Sequence, residues 1–193
     1  PLGRVPQWEN LAGFLKAGGT AVKSVFPDSQ LILHLDCGGD NYKSRRWFDA
    51  IRAQQVPFDI IGLSFYPGWH GSLAQLTANL QDLQTRYQKP VMVVEAAYPW
   101  TTQNGDSERN IYTATGAQTE PLTPQGQAAY LTRLGQAVAG VPGGQGIFYW
   151  APEWIPTPRS GSHAVTGWDN ATLFDFNGRA LPGVAALGRA GTP

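Results

Sequence analysis

The run Val91-Met92-Val93-Val94-Glu95 holds four consecutive apolar residues and ends on a carboxylate. A short, continuous apolar run is typical of a strand that is buried on both faces of a parallel sheet. Because side chains alternate along a strand, we expect Glu95 to share a face with Val91 and Val93, the face that points inward in a barrel. A carboxylate in such a place is costly unless it is paired or hydrogen-bonded. Glu95 is therefore either a structural residue held by an arginine or backbone donors, or a nucleophile or general acid/base.

Three further apolar runs resemble this one, and a helical pattern precedes each of the four. The predicted strands lie at residues 31–36, 58–64, 91–95 and 146–150, and the predicted helices at 11–26, 47–51, 73–87 and 123–134, with a short apolar helix after 180. This alternation predicts right-handed βαβ units and a parallel sheet, so we assign the chain to the α/β class. Neither a GxGxxG nor a GxxxxGK[ST] pattern follows a strand, which argues against a nucleotide-binding protein.

The connections between these elements differ in length. Helix-to-strand connections such as Gln55-Val56-Pro57 are short, whereas the strand-to-helix segments 96–123 and 151–179 are long. Long loops in a compact domain are usually functional, and these leave the strand ends where α/β proteins place their active sites. A (β/α)8 barrel needs eight strands in about 250 residues, but this chain has four in 193. It is therefore either a small open sheet or the second half of a barrel.

The composition excludes some function classes. The 14 Lys and Arg residues balance 14 Asp and Glu residues, whereas a nucleic-acid or anionic-membrane binder needs a cationic surplus. No apolar run approaches the roughly 20 residues of a membrane span. Seven Trp and seven Tyr residues suit a flat, uncharged ligand such as a sugar. The chain opens at Pro1 without a Met, so we expect a processed or truncated product, in which a missing signal peptide carries no weight.

Aromatic and polar residues gather where the predicted strands end. The second strand leads into Ser64-Phe65-Tyr66-Pro67-Gly68-Trp69-His70-Gly71, and Tyr98 and Trp100 follow Glu95. The fourth strand ends in Tyr149-Trp150. Because the ends of parallel strands meet at one edge, these residues predict a carbohydrate cleft, in which rings stack on sugar C–H faces and polar groups bind hydroxyls.

These motifs resemble a known family. Residues 64–71, 91–101 and 146–156 resemble the later strands of arabinogalactan endo-β-1,4-galactanases, glycoside hydrolase family 53. His34-Leu35-Asp36 is similar to that family's fifth strand, and residues 173–182 resemble its C-terminal closure. The resemblance covers nearly the whole chain. It implies that residues 1–193 are a single incomplete (β/α)8 catalytic domain that holds strands five to eight, with the N-terminal strands one to four missing.

The resemblance also implies a function and a set of site residues. It implies a secreted, retaining glycosidase that cleaves β-1,4-galactan in pectin, with Glu95 as the nucleophile at the end of the seventh strand. We expect Tyr66 to hydrogen-bond Glu95, and Trp150 to form the platform under the sugar at the cleavage point. The further substrate-binding candidates are His34, Asp36, Trp69, His70 and Trp100.

A retaining mechanism needs a second carboxyl group. In the family this acid/base Glu follows an Asn at the end of the fourth strand, and the corresponding residues are not found here, since Glu9 falls within the first helix. We therefore expect the partner outside this chain, with Asp36 and Glu153 as alternatives within it. The segment Tyr149-Trp150-Ala151-Pro152-Glu153 departs from the Tyr-Trp-Glu-Pro that we expect in many relatives.

Several other interpretations stay open. Three alternatives are a non-catalytic carbohydrate-binding half-barrel, a related retaining glycosidase that acts on another β-glycan, and a self-contained α/β domain of unrelated function. A half-barrel exposes two sheet edges, which favour self-association. No cofactor is required by the mechanism, but structural calcium is an expectation because some relatives tie the long loops with it. The candidate calcium ligands are Asn104, Asp106, Ser162, His163, Asp169 and Asn170. Their ordinary interpretation is that of polar turn residues without a metal.

Overall fold

Four parallel strands form one sheet in the order β1-β2-β3-β4, in a computed structural model that describes residues 8–113, 116–117, 119–156 and 165–189. Helices α2, α4 and α5 connect successive strands, so the α/β prediction is confirmed. In chain order the elements are α1 (Trp8–Val25), β1 (Ile32–Leu35), α2 (Asn41–Ala53), β2 (Ile60–Ser64), α3 (Pro67–His70), α4 (Leu73–Tyr87), β3 (Val91–Ala96), α5 (Pro124–Ala139), β4 (Gly144–Tyr149), a 3-10 turn (Asp169–Ala171) and α6 (Pro182–Arg189).

Local sequence signals determine where the helices begin. Asp40 caps α2 with its side chain, and Ser72 forms a capping box with Gln75 at the start of α4. Thr123 caps α5 ahead of Pro124 in the first turn. These caps place the helices directly after the loops that carry the strand-end residues.

One face of the sheet packs against the helices. The core contains β2 and β3 side chains that alternate along each strand, together with the apolar stripes of α4 and α5. Its fully buried members include Ile61, Leu63, Phe65, Val91, Val93, Leu76, Leu80, Leu83, Leu131 and Leu134.

The opposite face, which we call the inner face, carries the other half of the alternating side chains. A Cβ added to Gly62 would lie 2.7 Å from Ile32 Cγ2 and 2.8 Å from Val94 Cγ2, so these three positions share that face. Ile32 is 37% exposed, and Phe148, which lies between two core-contacting residues of β4, is 57% exposed. A closed (β/α)8 barrel buries this face in its interior. The arrangement is therefore that of part of such a barrel.

The expected orientation of β3 was wrong. Val91 and Val93 are fully buried against the helices and do not point inward. Glu95 nevertheless leaves their face, because Ser64 pairs with Glu95 while the residue before Ser64 pairs with Val93. Val94 is thus an extra residue in β3, and this bulge changes the direction of the strand end. Bulges of this kind frequently re-aim a side chain next to an active site.

The prediction of one domain over residues 1–193 extends beyond the described ranges and stays a prediction. No helix within those ranges combines the length and the apolar character that a bilayer span requires. Helix α1 contacts α2 and buries Ala12, while its Phe14 and Val25 are mostly exposed.

Candidate active site

Glu95 and Tyr66 lie together at the carboxyl ends of β3 and β2. The Tyr66 phenol donates a hydrogen bond to Glu95 Oε1 over 2.8 Å, as the sequence analysis predicted. Burial, followed by the neighbouring carboxylate, raises the pKa of the Tyr66 phenol far above its ordinary value, so Tyr66 keeps its proton and remains a donor. None of the ion pairs between described residues includes Glu95. The structural alternative of an arginine clamp therefore has no support in the described part of the chain.

Aromatic side chains form a connected cluster of rings around Tyr66, which we call the aromatic wall. Trp168 lies at its centre, with ring-centroid distances of 5.7 Å to Tyr66, 6.0 Å to Trp69 and 6.3 Å to Trp150. Trp69 and Trp150 remain 47% and 38% exposed. The wall consists of Tyr66, Trp69, Tyr112, Trp150, Trp154 and Trp168. Exposed aromatic faces next to a carboxylate suit a carbohydrate chain.

A polar groove of roughly 800 Å³ continues from the wall across the ends of β1 and β2. Asp36, Trp69 and His70 line it, so the structure brings three of the predicted substrate-binding residues together. Lys43 and Gln75 add hydrogen-bond donors to the same groove. Its mixture of one aromatic face and several polar groups matches the chemistry of a sugar unit.

His34 lies on the inner face. Its Nε2 is 2.6 Å from the hydroxyl of Ser64, and Ser64 is the register partner of Glu95. His34 is exposed. His34 therefore contacts the site through Ser64, a residue to which the sequence alone assigned no role.

Trp100 takes a different position from the one expected of a substrate-binding residue. Its indole N–H lies 3.2 Å from the Asp169 carbonyl and 3.3 Å from the Thr172 hydroxyl. Its ring packs on Phe176, with centroids 4.8 Å apart. These contacts join the loop after β3 to the loop after β4, which indicates that Trp100 anchors the loops.

The model of Glycosyl hydrolase family 53 matches residues 1–187. The chain belongs to this family. The resemblance seen in the motifs is thus confirmed.

Individual family 53 relatives agree with this assignment. The chain is 38% identical over 192 residues to an arabinogalactan endo-beta-1,4-galactanase of Cellvibrio japonicus (strain Ueda107), covering 92% of this chain and 49% of that protein. It is 30% identical over 210 residues to an endo-beta-1,4-galactanase of Bacillus subtilis (strain 168), covering 91% and 48%. The solved Ignisphaera aggregans GH53 catalytic domain superposes with a TM-score of 0.85 at 34% identity, over 97% of this chain and 54% of that one. The chain spans about half the length of the curated relatives it matches.

A close backbone contact positions the groove of this family 53 chain. A Cβ added to Gly39 would lie 1.6 Å from the carbonyl oxygen of His70. No side chain fits between the two segments, so glycine is required where the loop after β1 meets the end of α3. This contact holds the Asp36 loop against the segment that carries Trp69 and His70.

The residues considered for calcium lie in two facing loops. Asp106 accepts backbone N–H groups from Glu108 at 2.7 Å and from Thr166 at 2.8 Å, and so links the loops itself. Asn104 donates to the Glu108 carbonyl over 2.6 Å. His163 and Ser162 lie outside the described residues.

Asp169 fits a cation better than Asp106 and Asn104 do. One of its oxygens accepts the Gly105 N–H over 2.7 Å, while its buried Oδ1 has no partner. Burial, together with the nearby Asp106 carboxylate, raises the pKa of Asp169, and hydrogen bonds from the Gly105 and Asn170 backbone and the Asn110 side chain oppose this only in part. The buried amide oxygens of Asn110 and Asn170 also lack partners. Among the described residues, however, no three His, Cys, Asp or Glu side chains gather closely enough to hold a metal.

Sequence reasoning missed Ser64 as a hydrogen-bond partner, Tyr112 and Trp168 as parts of the wall, and Lys43 and Gln75 as donors in the groove. Tyr112 and Trp168 lie within long loops and do not follow a strand directly. A single sequence offers no periodicity there that would distinguish a site residue from loop packing. Ser64 is directly visible as the last residue of β2, but its bond to His34 depends on strand register.

Proposed function

We propose that this chain supplies the nucleophile side of the active site of a secreted, retaining endo-β-1,4-galactanase. The observation that carries the proposal is the 2.8 Å hydrogen bond from the buried Tyr66 to Glu95, at the edge of an aromatic wall and at the carboxyl ends of parallel strands. Membership in family 53 supports the same conclusion. Galactan is proposed as the substrate because the Cellvibrio japonicus and Bacillus subtilis relatives are named endo-β-1,4-galactanases.

The proposed reaction has two steps. In the first, a Glu95 carboxylate oxygen attacks the anomeric carbon, the bond from that carbon to the leaving-group oxygen breaks, and an acid donates a proton to the departing sugar. In the second, water deprotonated by the same acid/base attacks the glycosyl ester and releases Glu95. Tyr66 fixes which Glu95 oxygen is held and which is free to attack. Two inversions at one carbon give retained configuration.

The acid/base must lie about 5–5.5 Å from the nucleophile in a retaining enzyme. The family resemblance locates it at the end of the fourth barrel strand, whereas we infer that β1 to β4 correspond to strands five to eight. Glu153, one of the internal alternatives, is exposed in the turn after β4. We propose that the acid/base comes from outside β1 to β4, and that Asp36 contributes to substrate binding in the groove.

Covalent trapping tests the role of Glu95. A 2-deoxy-2-fluoro-β-galactosyl donor with a dinitrophenolate leaving group needs no acid, and its glycosyl-enzyme turns over slowly. We expect mass spectrometry to find one sugar on Glu95 of the chain, and none on the Glu95→Gln variant. The Glu153→Gln variant is the matched control, since it removes an exposed carboxylate of the turn after β4 to which the proposal gives no role. A label on any other residue would contradict the proposal.

Hydrolysis is tested in a completed barrel, in which residues 1–193 follow the N-terminal half of the Cellvibrio japonicus relative. We expect cleavage of β-1,4-galactan with retained anomeric configuration, read by NMR of the first product. Inverted product, or activity confined to another β-glycan, would overturn the galactanase assignment. Galactan binding by the 193-residue chain without trapping at Glu95 would favour the carbohydrate-binding half-barrel.

The open sheet supports a proposal on assembly. Strands β1 and β4 are the edges of the described sheet, and Ile32 and Phe148 are exposed on its inner face. Unpaired strand edges and exposed apolar residues favour association. We propose that the isolated chain self-associates, and that light scattering will show a mass above 20.9 kDa. A strictly monomeric chain, together with an unchanged mass for Phe148→Lys, would contradict this.

We also propose that calcium binds between the two long loops, through the Asp169 carboxylate and the Asn110 and Asn170 amide oxygens. These oxygens are buried without partners, and calcium favours several oxygen ligands. Calcium is expected to raise the melting temperature of the wild-type chain but not that of Asp169→Asn. An equal response of the two proteins would contradict the calcium proposal.

A further inference from the structure

His70 contacts both the backbone and the ring of Tyr66. The Tyr66 backbone N–H points at Nδ1 of His70, with nitrogen atoms 3.2 Å apart. The imidazole ring also packs edge-on against the phenol ring, with centroids 5.7 Å apart and planes at 66°. The phenol hydroxyl at the far end of the same residue donates to Glu95. His70 therefore holds one end of the residue whose other end holds the proposed nucleophile.

The short helix α3 also holds the Tyr66 backbone through hydrogen bonds. The backbone N–H groups of Trp69 and His70 donate to the Tyr66 carbonyl over 2.9 and 2.7 Å. Both backbone polar groups of Tyr66 are thus bonded to the segment that ends in His70. The carbonyl contacts are independent of protonation, whereas the contact to Nδ1 requires a lone pair on that nitrogen.

We propose that His70 is a positioning residue in the neutral tautomer with its proton on Nε2, and that its Nδ1 fixes Tyr66 so that the phenol meets Glu95. The catalytic consequence rests on the function proposed above, but the tautomer and the contact do not. This assignment differs from the expected role of His70 as a direct ligand of substrate. A ligand role would depend on Nε2, which is the other nitrogen.

The surroundings of His70 decide the direction of its pH dependence. Burial lowers the pKa of His70, while Asp36, the Ser64 carbonyl and the Glu95 carboxylate oppose this and Lys43 adds to it. The net effect is a lowered pKa, so the ring stays neutral at neutral pH. The contact to Tyr66 is therefore intact at neutral pH and is lost as the pH falls through the lowered pKa, when Nδ1 becomes a donor.

The two nitrogens can be tested separately. Asparagine places its side-chain oxygen near the position of Nδ1, and glutamine places its terminal group near the position of Nε2. If His70 positions Tyr66, His70→Asn keeps the acceptor and His70→Gln loses it. If His70 binds substrate through Nε2, the ranking is reversed.

The experiment uses the 193-residue chain. ¹⁵N NMR of the imidazole reports the tautomer, and amide hydrogen exchange reports the protection of the Tyr66 N–H. We expect the Nε2–H tautomer at neutral pH, and loss of Tyr66 protection on acidification with the same midpoint as the ring. His70→Gln should speed exchange of the Tyr66 backbone N–H about fivefold, the change that corresponds to a typical net hydrogen bond of about 1 kcal/mol. His70→Asn should keep most of the wild-type protection of this N–H.

Each outcome has a defined meaning. A proton on Nδ1, donated to the Ser64 carbonyl, would overturn the proposal, and the wild-type spectrum decides this even if a variant fails to fold. Equal exchange in His70→Asn and His70→Gln would also overturn it. If tautomer and exchange agree with expectation but Glu95 is never trapped by the fluorosugar, the positioning contact stands and the proposed function fails.

Discussion

Removal of one oxygen atom, in Tyr66→Phe, tests whether the hydrogen bond to Glu95 contributes to the reaction. The bond is 2.8 Å long and joins a phenol to a carboxylate, and Tyr66 is only 2% exposed. Hydrogen bonds to charged groups contribute about 1.5–3 kcal/mol. Because Glu95 itself is only half-buried, water replaces part of the lost bond, and we expect about 1.5–2 kcal/mol. Because the bond also orients the attacking oxygen, we expect its loss to be expressed in the transition state of attack, where this free energy corresponds to a roughly ten- to thirtyfold slower reaction of Glu95.

The assay is the release of dinitrophenolate during covalent trapping in the completed barrel. It reports the attack of Glu95 alone, since the leaving group needs no proton. Tyr87→Phe is the matched control. It removes the same atom from Tyr87, the last residue of α4, whose hydroxyl donates to Asp49 of α2. We expect Tyr87→Phe to trap at the wild-type rate, although it loses a contact between helices.

The comparison of the two variants also separates stability from catalysis. Denaturant unfolding of both proteins measures how much each hydroxyl contributes to the fold. If Tyr66→Phe and the wild type trap at the same rate, Tyr66 does not orient the nucleophile, and the mechanism proposed for this pair is refuted. If both variants are slowed in proportion to their loss of stability, the effect is one of folding.

Three more predictions follow from other parts of the structure. Gly39→Ala should destabilise the chain by about 1–3 kcal/mol because the added Cβ would overlap a backbone carbonyl. Gly13→Ala should instead stabilise the chain by roughly 0.5–1 kcal/mol, since no atom lies near the added Cβ. Chemical denaturation measures both free energies of unfolding, and equal effects would contradict the close approach at Gly39. Trp150→Ala should weaken binding of galactan oligosaccharides by about three- to tenfold, since an aromatic contact contributes roughly 0.5–1.5 kcal/mol, and calorimetry that finds unchanged affinity would remove Trp150 from the wall's function. Arg86 lowers the pKa of Asp49. This pair therefore stabilises the fold fully at pH values above the usual carboxyl pKa, and the stabilisation is lost as the pH falls through the lowered pKa. The difference in unfolding free energy between wild type and Asp49→Asn should shrink in acid, and a difference that is constant with pH would contradict this.

The main elements of the fold were accessible to sequence reasoning because their signals are local. All four strands appear where the apolar runs predicted them, with ends shifted by at most two residues. The connecting helices also appear where predicted, but α2 begins six residues before its predicted range and α5 ends five residues after its own. The short helix α3 was not predicted. It begins at Pro67, and four residues are too few to show a helical period.

The direction of Glu95 shows where such reasoning stops. Alternation along β3 predicted a shared face with Val91 and Val93, but the bulge at Val94 breaks that alternation. A bulge depends on how two strands pair, and pairing is not encoded in the period of either strand. The residue was identified correctly as a strand-end carboxylate, while its contact to Tyr66 required the register of β2 against β3.

The sequence by itself determined the α/β class, the parallel order of elements, the resemblance to family 53 and the strand-end position of Glu95, because hydrophobic periods and motifs are properties of neighbouring residues. Only the tertiary structure decided that Trp168 joins Trp69 to Trp150, that Trp100 anchors loops, and that His70 holds Tyr66. These contacts depend on where loops and strand ends meet in space. Packing and register bring such segments together across long sequence separations, and no local pattern records those distances.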